Sequence, residues 1–575
     1  MKVVIIGGTA GGAGLAARLR RLDEKVEITI IEKNPYISWA GCALPYFAGG
    51  VIADKDTLFL ATKEMFKSRY NIDVMDATRA VGIDREQKCV LVDDAALPTK
   101  TPQKVPYDRL VIATGAKAIV PAFAQRRNAD GIFTMRSIED ADGIRKYIKQ
   151  HNVQNAVIVG GGFIGLEACE NLQSLGIKIT LVEKAPQVLT PVDPDIAKYL
   201  HLELEKHGVC LKLGVGITNI PRVEEGEKLS VELENGEVIK TQLVIMSLGI
   251  APESDFLQAT GVELNARGYV VTDDTMQTSE PNIFALGDVV AVKDVPTGRY
   301  GTMALAGPAT KQARVLAHNI LLPENADLLH DEHSHHYHGS LGVSIVRVMR
   351  LTAGAVGANT RALQAQGYDQ SKIGVALVHT PNHVSWFTAP TPVHLKLLFD
   401  KESGAILGAQ AVGEQSVDKN LEAISALMQM HGTVYDMVEF ESAYAPPFSA
   451  PRSPVNMAGS TAANVVDGME DTVTCADLSK MDAENTVFWD VRTPAEVAAG
   501  EIPHFVNVPL DTLRGYVKEH PLDESKNYVV TCQVGVRGHI ACCILRALGA
   551  KKVYNLTGGY QSWAVHSAKL QSEQK

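Results

Sequence analysis

The sequence predicts an α/β chain of several domains, two of them shaped to hold a dinucleotide, and three observations carry that prediction. An apolar strand, a glycine-rich turn, a helix and a second strand ending in an acid follow one another up to Glu32. The same succession returns from Ala156 to Glu183. After a Pro-, Ser- and Gly-containing stretch at residues 449–470, which reads as a connector with a short helical segment, a further small set of alternating strands and helices begins. At 575 residues the chain exceeds what one core serves, and 46% apolar with 21% charged residues is the mixture of a globular protein. A formal charge of −11 without a long basic tract argues against a nucleic-acid partner. No apolar run reaches the ~20 residues that cross a bilayer. The start, Met1-Lys2-Val3-Val4-Ile5-Ile6-Gly7, enters a strand with no signal-peptide pattern, so the expectation is a cytoplasmic protein with no membrane partner. Eight cysteines with no CxxC pair make no disulfide framework, and each thiol must be judged by its surroundings.

The first unit runs from the strand Lys2–Ile6 through Gly7-Gly8-Thr9-Ala10-Gly11-Gly12 into a helix over Ala13–Leu22 and the strand Val26–Ile31. Such a unit needs glycines at Gly7, Gly8 and Gly12 for a tight turn and close approach to pyrophosphate, and helix amides facing the phosphate charge. Glu32, with Lys33 beside it, closes the strand where a ribose hydroxyl is accepted. Thr9 replaces the middle glycine, and a turn that binds nothing is the alternative. The second unit is complete: Gly160, Gly162 and Gly165 follow the strand Ala156–Val159, and Glu183 ends the strand Lys178–Val182. An acid there favours a free 2′-hydroxyl, hence NADH over NADPH, with Lys184 tempering the preference. Two units imply two nucleotides, and two facing cofactors describe electron transfer. The segments Val111–Ala116 and Asn282–Val289 are apolar strands ending in small-residue turns. Thr114, Gly115 and Asp288 would approach a ligand there, unless these are ordinary sheet turns.

From 326 to 450 the pattern changes to strands over Gly342–Met349, Lys372–His379 and His394–Asp400 and a helix over Val417–Met430. Tyr444 precedes a stiff Pro446-Pro447 step that can hold a phenol in place; packing at an interface is the alternative, and Tyr368 is the second phenol considered. His330, His333, His335, His336 and His338 crowd one loop, but their spacing fits no zinc motif and a solvated loop is expected. The chemistry points to two thiols. Cys42 stands alone just beyond the first unit, within Ser38-Trp39-Ala40-Gly41-Cys42-Ala43-Leu44-Pro45-Tyr46. Cys532 follows the strand Tyr528–Thr531 and opens the loop Cys532-Gln533-Val534-Gly535-Val536-Arg537, where backbone N–H groups can cradle a thiolate or persulfide and Arg537 can add charge from the rim. Cys542 and Cys543, on the helix that follows, suit a core.

The glycine turns with the segments ending at Thr114-Gly115 and Gly287-Asp288 resemble the flavin disulfide reductase superfamily. That resemblance implies two Rossmann-like domains, the second inserted in the first: FAD at residues 1–115 and 253–325, NADH at 116–252. It implies an α+β dimerisation domain at 326–450, by which a homodimer completes each thiol site. A linker at 451–471 would lead to a C-terminal α/β domain at 472–575, where Cys532, Gly535 and Arg537 with Asp490-Val491-Arg492 resemble a rhodanese. Ser38, Cys42, Pro45 and Tyr46 match the single-cysteine branch of the superfamily; Ile37 stands where two-cysteine members carry a second thiol. That branch holds coenzyme A disulfide reductases, NADH oxidases and NADH peroxidases, and no histidine near residue 10 lowers the peroxidase reading. The whole chain is similar to coenzyme A disulfide reductases fused to a rhodanese domain, a family also described as NADH-dependent persulfide (polysulfide) reductases. The resemblance implies coenzyme A as a third cofactor or substrate, with Arg18 and Arg21 facing its phosphates or, equally, solvent. It implies reduction of coenzyme A persulfide or polysulfide with release of hydrogen sulfide. Coenzyme A disulfide reduction, NADH oxidation and a tail that only docks a protein remain the alternatives.

Overall fold

Val3, Val4, Ile5 and Ile6 are consecutive and all buried, the mark of a parallel strand covered on both faces. This strand, β1 (Lys2–Ile6), leads into α1 (Ala10–Leu22) and β2 (Glu27–Ile31). The helix begins at Ala10, three residues earlier than expected, because Thr9 already has the extended backbone of an N-cap. Next come α2 (Leu44–Ala48), β3 (Asp73–Met75), β4 (Arg109–Ile112), β5 (Ile132–Thr134) and β6 (Asn155–Val159). They are followed by α3 (Phe163–Gln173), β7 (Lys178–Glu183), α4 (Pro194–Lys206), β8 (Leu243–Met246), β9 (Ile283–Ala285) and α5 (Ala306–Asn319). The computed structural model describes residues 1–96, 101–125, 131–223, 228–324 and 326–570, so the domain limits expected at 325 and 575 lie outside the described residues. The chain forms two units, Met1–Val182 with Gly216–Ser340, and Glu183–Val215 with Leu341–Lys575.

In the first unit one sheet has the order β9-β4-β1-β2-β3, all parallel. β9 pairs with β4 from Ile283↔Leu110 to Ala285↔Ile112, so a strand from far downstream completes the sheet that the first residues begin. A second parallel arrangement places β7, β6, β8 and β5 side by side in that order. In both, the glycine turn leaves the carboxyl end of the central strand, the position at which open parallel sheets bind nucleotides.

The second unit contains β10 (Ser344–Val348), β11 (Leu351–Gly357), β12 (Ile373–Pro381), β13 (Pro392–Asp400) and β14 (Ile406–Gly413), an antiparallel sheet in the order β10-β11-β14-β13-β12. The helices α6 (Val417–Gln429) and α7 (Pro454–Val466) pack on it. Most of the stretch expected as a linker is thus α7, whose Val455, Ala458, Ala462 and Ala463 lie in the same core as Leu395 and Leu397 of β13. Small side chains every three to four residues are what let a helix sit this close, although they read as connector composition in the sequence. Five parallel strands follow: β15 (Asp471–Val473), β16 (Thr486–Asp490), β17 (Val506–Asn507), β18 (Asn527–Thr531) and β19 (Lys552–Leu556), in the order β15-β19-β18-β16-β17. The helices α8 (Val536–Ala547) and α9 (Gly559–Ser567) complete this domain. The outer edge of β12 is covered by it: the Leu377 N–H donates to Thr557 Oγ1 at 2.8 Å, and Thr472 Oγ1 donates to the Val375 carbonyl at 2.9 Å. Among the described residues no helix is long and apolar enough to cross a membrane.

Candidate active site

The two glycine turns are one piece of geometry built twice. Gly7 has φ +108° and Gly160 the same; a Cβ on either would fall 2.2 Å from a carbonyl oxygen, that of Ala113 or of Ser247. A Cβ on Gly12 would lie 1.9 Å from the Gly7 oxygen, and one on Gly165 1.9 Å from the Gly160 oxygen. At Gly162 a Cβ meets nothing within 4 Å, so the fold itself tolerates a side chain there, and Thr9 holds that place in the first turn. Neither α1 nor α3 has an acid in its first turn or a side-chain cap, which leaves both N-termini with donors facing outward, as a pyrophosphate requires.

Glu32 is buried; its Oε2 accepts the Gly8 N–H at 2.8 Å and its Oε1 accepts the N–H and Nδ2 of Asn34 at 2.9 and 2.8 Å. Lys33 pairs with Glu253 at 3.0 Å, and Thr114 Oγ1 donates to the Glu253 carbonyl at 2.7 Å beside Gly115. Burial lifts the Asp288 carboxyl above its ordinary range, partly offset by the guanidinium of Arg136 at 3.7 Å. Arg136, whose Nε donates to the Ala116 carbonyl, is a residue that the sequence reading missed. This donor and acceptor set fits an adenine dinucleotide. Glu183 ends β7 with Oε1 accepting the Ala185 N–H at 2.7 Å.

Cys42 is exposed in the single turn Gly41–Ala43, immediately before α2, whose Leu44, Pro45, Phe47 and Ala48 are buried. The helix thus anchors the segment while the thiol stays open. Ser38, at φ +49°, donates its N–H to the Gly8 carbonyl at 2.7 Å and ties the segment to the first glycine turn. Ile37 is 1% exposed and packs on Gly8, so the place of a second thiol is filled by core. The Tyr46 hydroxyl is 3.5 Å from Glu167 Oε1 on α3, and burial raises the Glu167 carboxyl to about 7, an effect that the Tyr46 contact reduces. Glu167 was also missed; its signal is a carboxylate amid the apolar run Phe163-Ile164-Gly165-Leu166-Glu167-Ala168-Cys169. Arg18 Nη2 lies 3.2 Å from His318 Nε2 and its buried Nε has no partner, whereas Arg21 is exposed. The arginine between them, Arg20, is spent on the carbonyls of Tyr70, Asp23, Glu24 and Asn71.

In the second unit Cys532 is 1% exposed at the end of β18, and the Gly535 N–H donates to its Sγ at 3.1 Å. No acid stands in the first turn of α8, so the helix end adds favourable charge at the sulfur. Arg537 makes two bonds to Glu496, at 2.8 and 2.6 Å, which hold the Glu496 carboxyl down to about 2 and the guanidinium up. The rim charge is therefore paired, in a contact that the sequence reading did not foresee. Arg492 is fully buried, bonded to both oxygens of Asp490 and to the Gly500 carbonyl, with its guanidinium 3.9 Å over the Tyr560 ring. Burial pushes the Cys542 thiol well up, as for a core cysteine. Tyr444 is 46% exposed in a segment without helix or strand. Tyr368 donates to Asp400 Oδ2 at 2.6 Å, and burial with that bond raises its phenol to about 12, so this hydroxyl serves the domain internally. In the histidine-rich loop, His330 pairs with Asp327 and His336 with Asp274; among the described residues no three His, Cys, Asp or Glu side chains are placed to hold a metal.

Residues 1–313 match the model of the pyridine nucleotide-disulphide oxidoreductase family, 343–453 that of its dimerisation domain, and 474–566 that of the rhodanese-like domain. Coenzyme A disulfide reductase of Staphylococcus epidermidis is 32% identical over 462 residues, covering 80% of this chain and 99% of that one. The crystal structure of reduced Bacillus anthracis CoADR-RHD is similar over 98% of each chain, with 38% identity and a TM-score of 0.91. A NAD-dependent persulfide reductase from A. fulgidus is similar over 98% of this chain and 100% of that one, with 29% identity and a TM-score of 0.86. The chain therefore belongs to the pyridine nucleotide-disulphide oxidoreductase family, carrying its dimerisation domain and a C-terminal rhodanese-like domain.

Proposed function

We propose that the chain reduces the sulfur–sulfur bond of a coenzyme A persulfide with electrons from NADH, releasing hydrogen sulfide, while the last domain carries sulfane sulfur. The supporting observation is a pair of unlike thiols: an open Cys42 tied to the first glycine turn, and a buried Cys532 held by an N–H at a helix start. Gly7, Gly8, Gly12, Glu32, Thr114, Gly115 and Asp288 would hold FAD, and Gly160, Gly162, Gly165 and Glu183 would hold NADH; together these cofactors supply two electrons.

The Cys42 thiolate attacks the coenzyme A-bound sulfur of CoA–S–SH, forming Cys42–S–S–CoA as hydrosulfide leaves. Two electrons then return the mixed disulfide to Cys42 thiolate and free coenzyme A. In sum, CoA–S–SH, NADH and a proton give CoA–SH, hydrogen sulfide and NAD⁺. Tyr444, from a second copy of the chain, donates a proton to the leaving sulfur. Arg18 and Arg21 of α1, with Ser38 of the Cys42 segment, are the side chains offered to the coenzyme A phosphates and pantetheine. Cys532 takes the outer sulfur from a persulfide donor as that donor's thiolate leaves, and passes it to the coenzyme A thiol, regenerating its own thiol.

Anaerobic NADH consumption with coenzyme A persulfide, coenzyme A disulfide and peroxide, with sulfide quantified, tests this reading. Fastest turnover on persulfide with stoichiometric sulfide, abolished in Cys42→Ser, is the expected result. Sulfane transfer from a second donor should vanish in Cys532→Ala. Faster turnover on the disulfide or on peroxide would replace the reading by disulfide reduction or peroxide reduction.

A further inference from the structure

The Cys532 loop rests on the start of α9. The Tyr560 N–H donates to the Cys532 carbonyl at 2.8 Å and the Gln561 N–H to the Gln533 carbonyl at 3.1 Å. The approach is close enough that a Cβ on Gly559 would fall 2.4 Å from the Cys532 oxygen. The preceding residue, Gly558, is also closely approached: its Cβ would fall 2.0 Å from Ser562 Oγ and 2.8 Å from Nε2 of His379, which belongs to β12 of the dimerisation sheet. Both glycines have positive φ, +73° and +59°, so two successive residues in a conformation that side chains resist lie between His379 and the backbone of Cys532.

His379 is itself held on all sides. Its Nε2 is 2.8 Å from Ser562 Oγ and its Nδ1 2.7 Å from Nδ1 of His394, its cross-strand partner on β13. The His394 ring stacks on Tyr199 of α4, with centroids 4.3 Å apart. His379, His394 and Ser562 are all at least nine-tenths buried. Burial, and for His379 its neighbour His394, holds both imidazoles below their ordinary range, so the pair is neutral and shares one Nδ1 proton. A neutral imidazole whose two nitrogens are both partnered in a dry site, as those of His379 are, is stiff, because movement leaves a buried nitrogen unpaired.

We infer that His379 is a positioning residue for Cys532: through Ser562 and the Gly558-Gly559 step it sets the backbone of the sulfur-carrying loop, so that the dimerisation sheet fixes the geometry of the last domain's thiol. This rests on the reading of Cys532 as the sulfur carrier. In the full-length holoenzyme, His379→Ala and the milder Ser562→Ala should each lower kcat for Cys532-dependent sulfane transfer at least about tenfold with KM little changed. Each should also shift the pH profile of Cys532 alkylation by iodoacetamide, while reduction of coenzyme A disulfide by NADH stays at the wild-type rate. His379→Gln, which keeps a hydrogen-bonding group facing Ser562, should restore much of the transfer, and the His379→Ala/Ser562→Ala pair should be no worse than either alone. Alkylation profiles that superimpose on wild type in both single variants would overturn the inference, as would equal losses in His379→Ala and His379→Gln. Transfer that survives Cys532→Ala would instead remove the carrier reading, and the alkylation profiles would still decide whether His379 sets the thiol.

Discussion

Glu167 is the side chain whose charge state the fold alters most usefully near Cys42. Its carboxyl titrates at about 7 against an ordinary 4.5, so the folded protein binds more protons than the unfolded chain between those values. Its contribution to stability is complete below pH 4.5 and is lost as pH rises through 7. Glu167→Gln should flatten this segment and leave the variant more stable than wild type at pH 8 by about 1 kcal/mol, a figure reduced for partial exposure. Melting curves at pH 5 and pH 8 check this; an unchanged pH slope would mean that the carboxylate is solvated. A second chain of dependence runs through Arg537, whose charge is committed to Glu496 rather than left free at the rim. Neither pairing was legible in the sequence. The Tyr46–Glu167 contact spans 121 residues and the Arg537–Glu496 contact 41, whereas a motif is read from neighbours.

At the level of elements, the glycine turns were legible because each is settled within one strand–turn–helix unit of roughly thirty residues. The structure adds which glycines the fold demands and which a ligand demands. Gly165→Ala places a methyl 1.9 Å from the Gly160 oxygen and should abolish NADH binding with a loss of folding, seen as precipitation or a melting temperature lowered by several degrees. Gly162→Ala meets open space, so the variant should melt as wild type, and any rise in KM for NADH then measures approach of the nucleotide alone. Equal destabilisation by both substitutions would refute the distinction. The helix α7 shows an intermediate case: a short helical segment was legible in the connector, but its length and its packing in the core were not. Its Pro-, Ser-, Gly- and Ala-rich sequence reads as connector, yet Ser453 with Asn456 forms a capping box and the small residues pack against β13.

Across the molecule, the order of domains was legible from the two repeats and the restart near residue 470, but how they are joined was not. The joining of the last domain to the dimerisation sheet depends on Thr472, Thr557 and Ser562, ordinary residues in the sequence that cover the edge of β12 and its histidine pair. Ending the chain at residue 470 should therefore lower the melting temperature of the remainder and promote concentration-dependent association through the bared edge, measured by sedimentation velocity. A single species with an unchanged melting curve would show that the edge needs no cover. The return of β9 to the side of β4 bears on synthesis as well. Between the emergence of Ile112 and that of Ile283 the ribosome adds the whole inserted unit, on the order of 10–30 s of translation at bacterial-to-eukaryotic rates. Throughout that interval β4 is a nascent strand with one unpaired side, whereas β5 to β8 can pair with one another as soon as Met246 has emerged. The outer domain must wait for its last strand, so the polypeptide is built to fold from the inside outward.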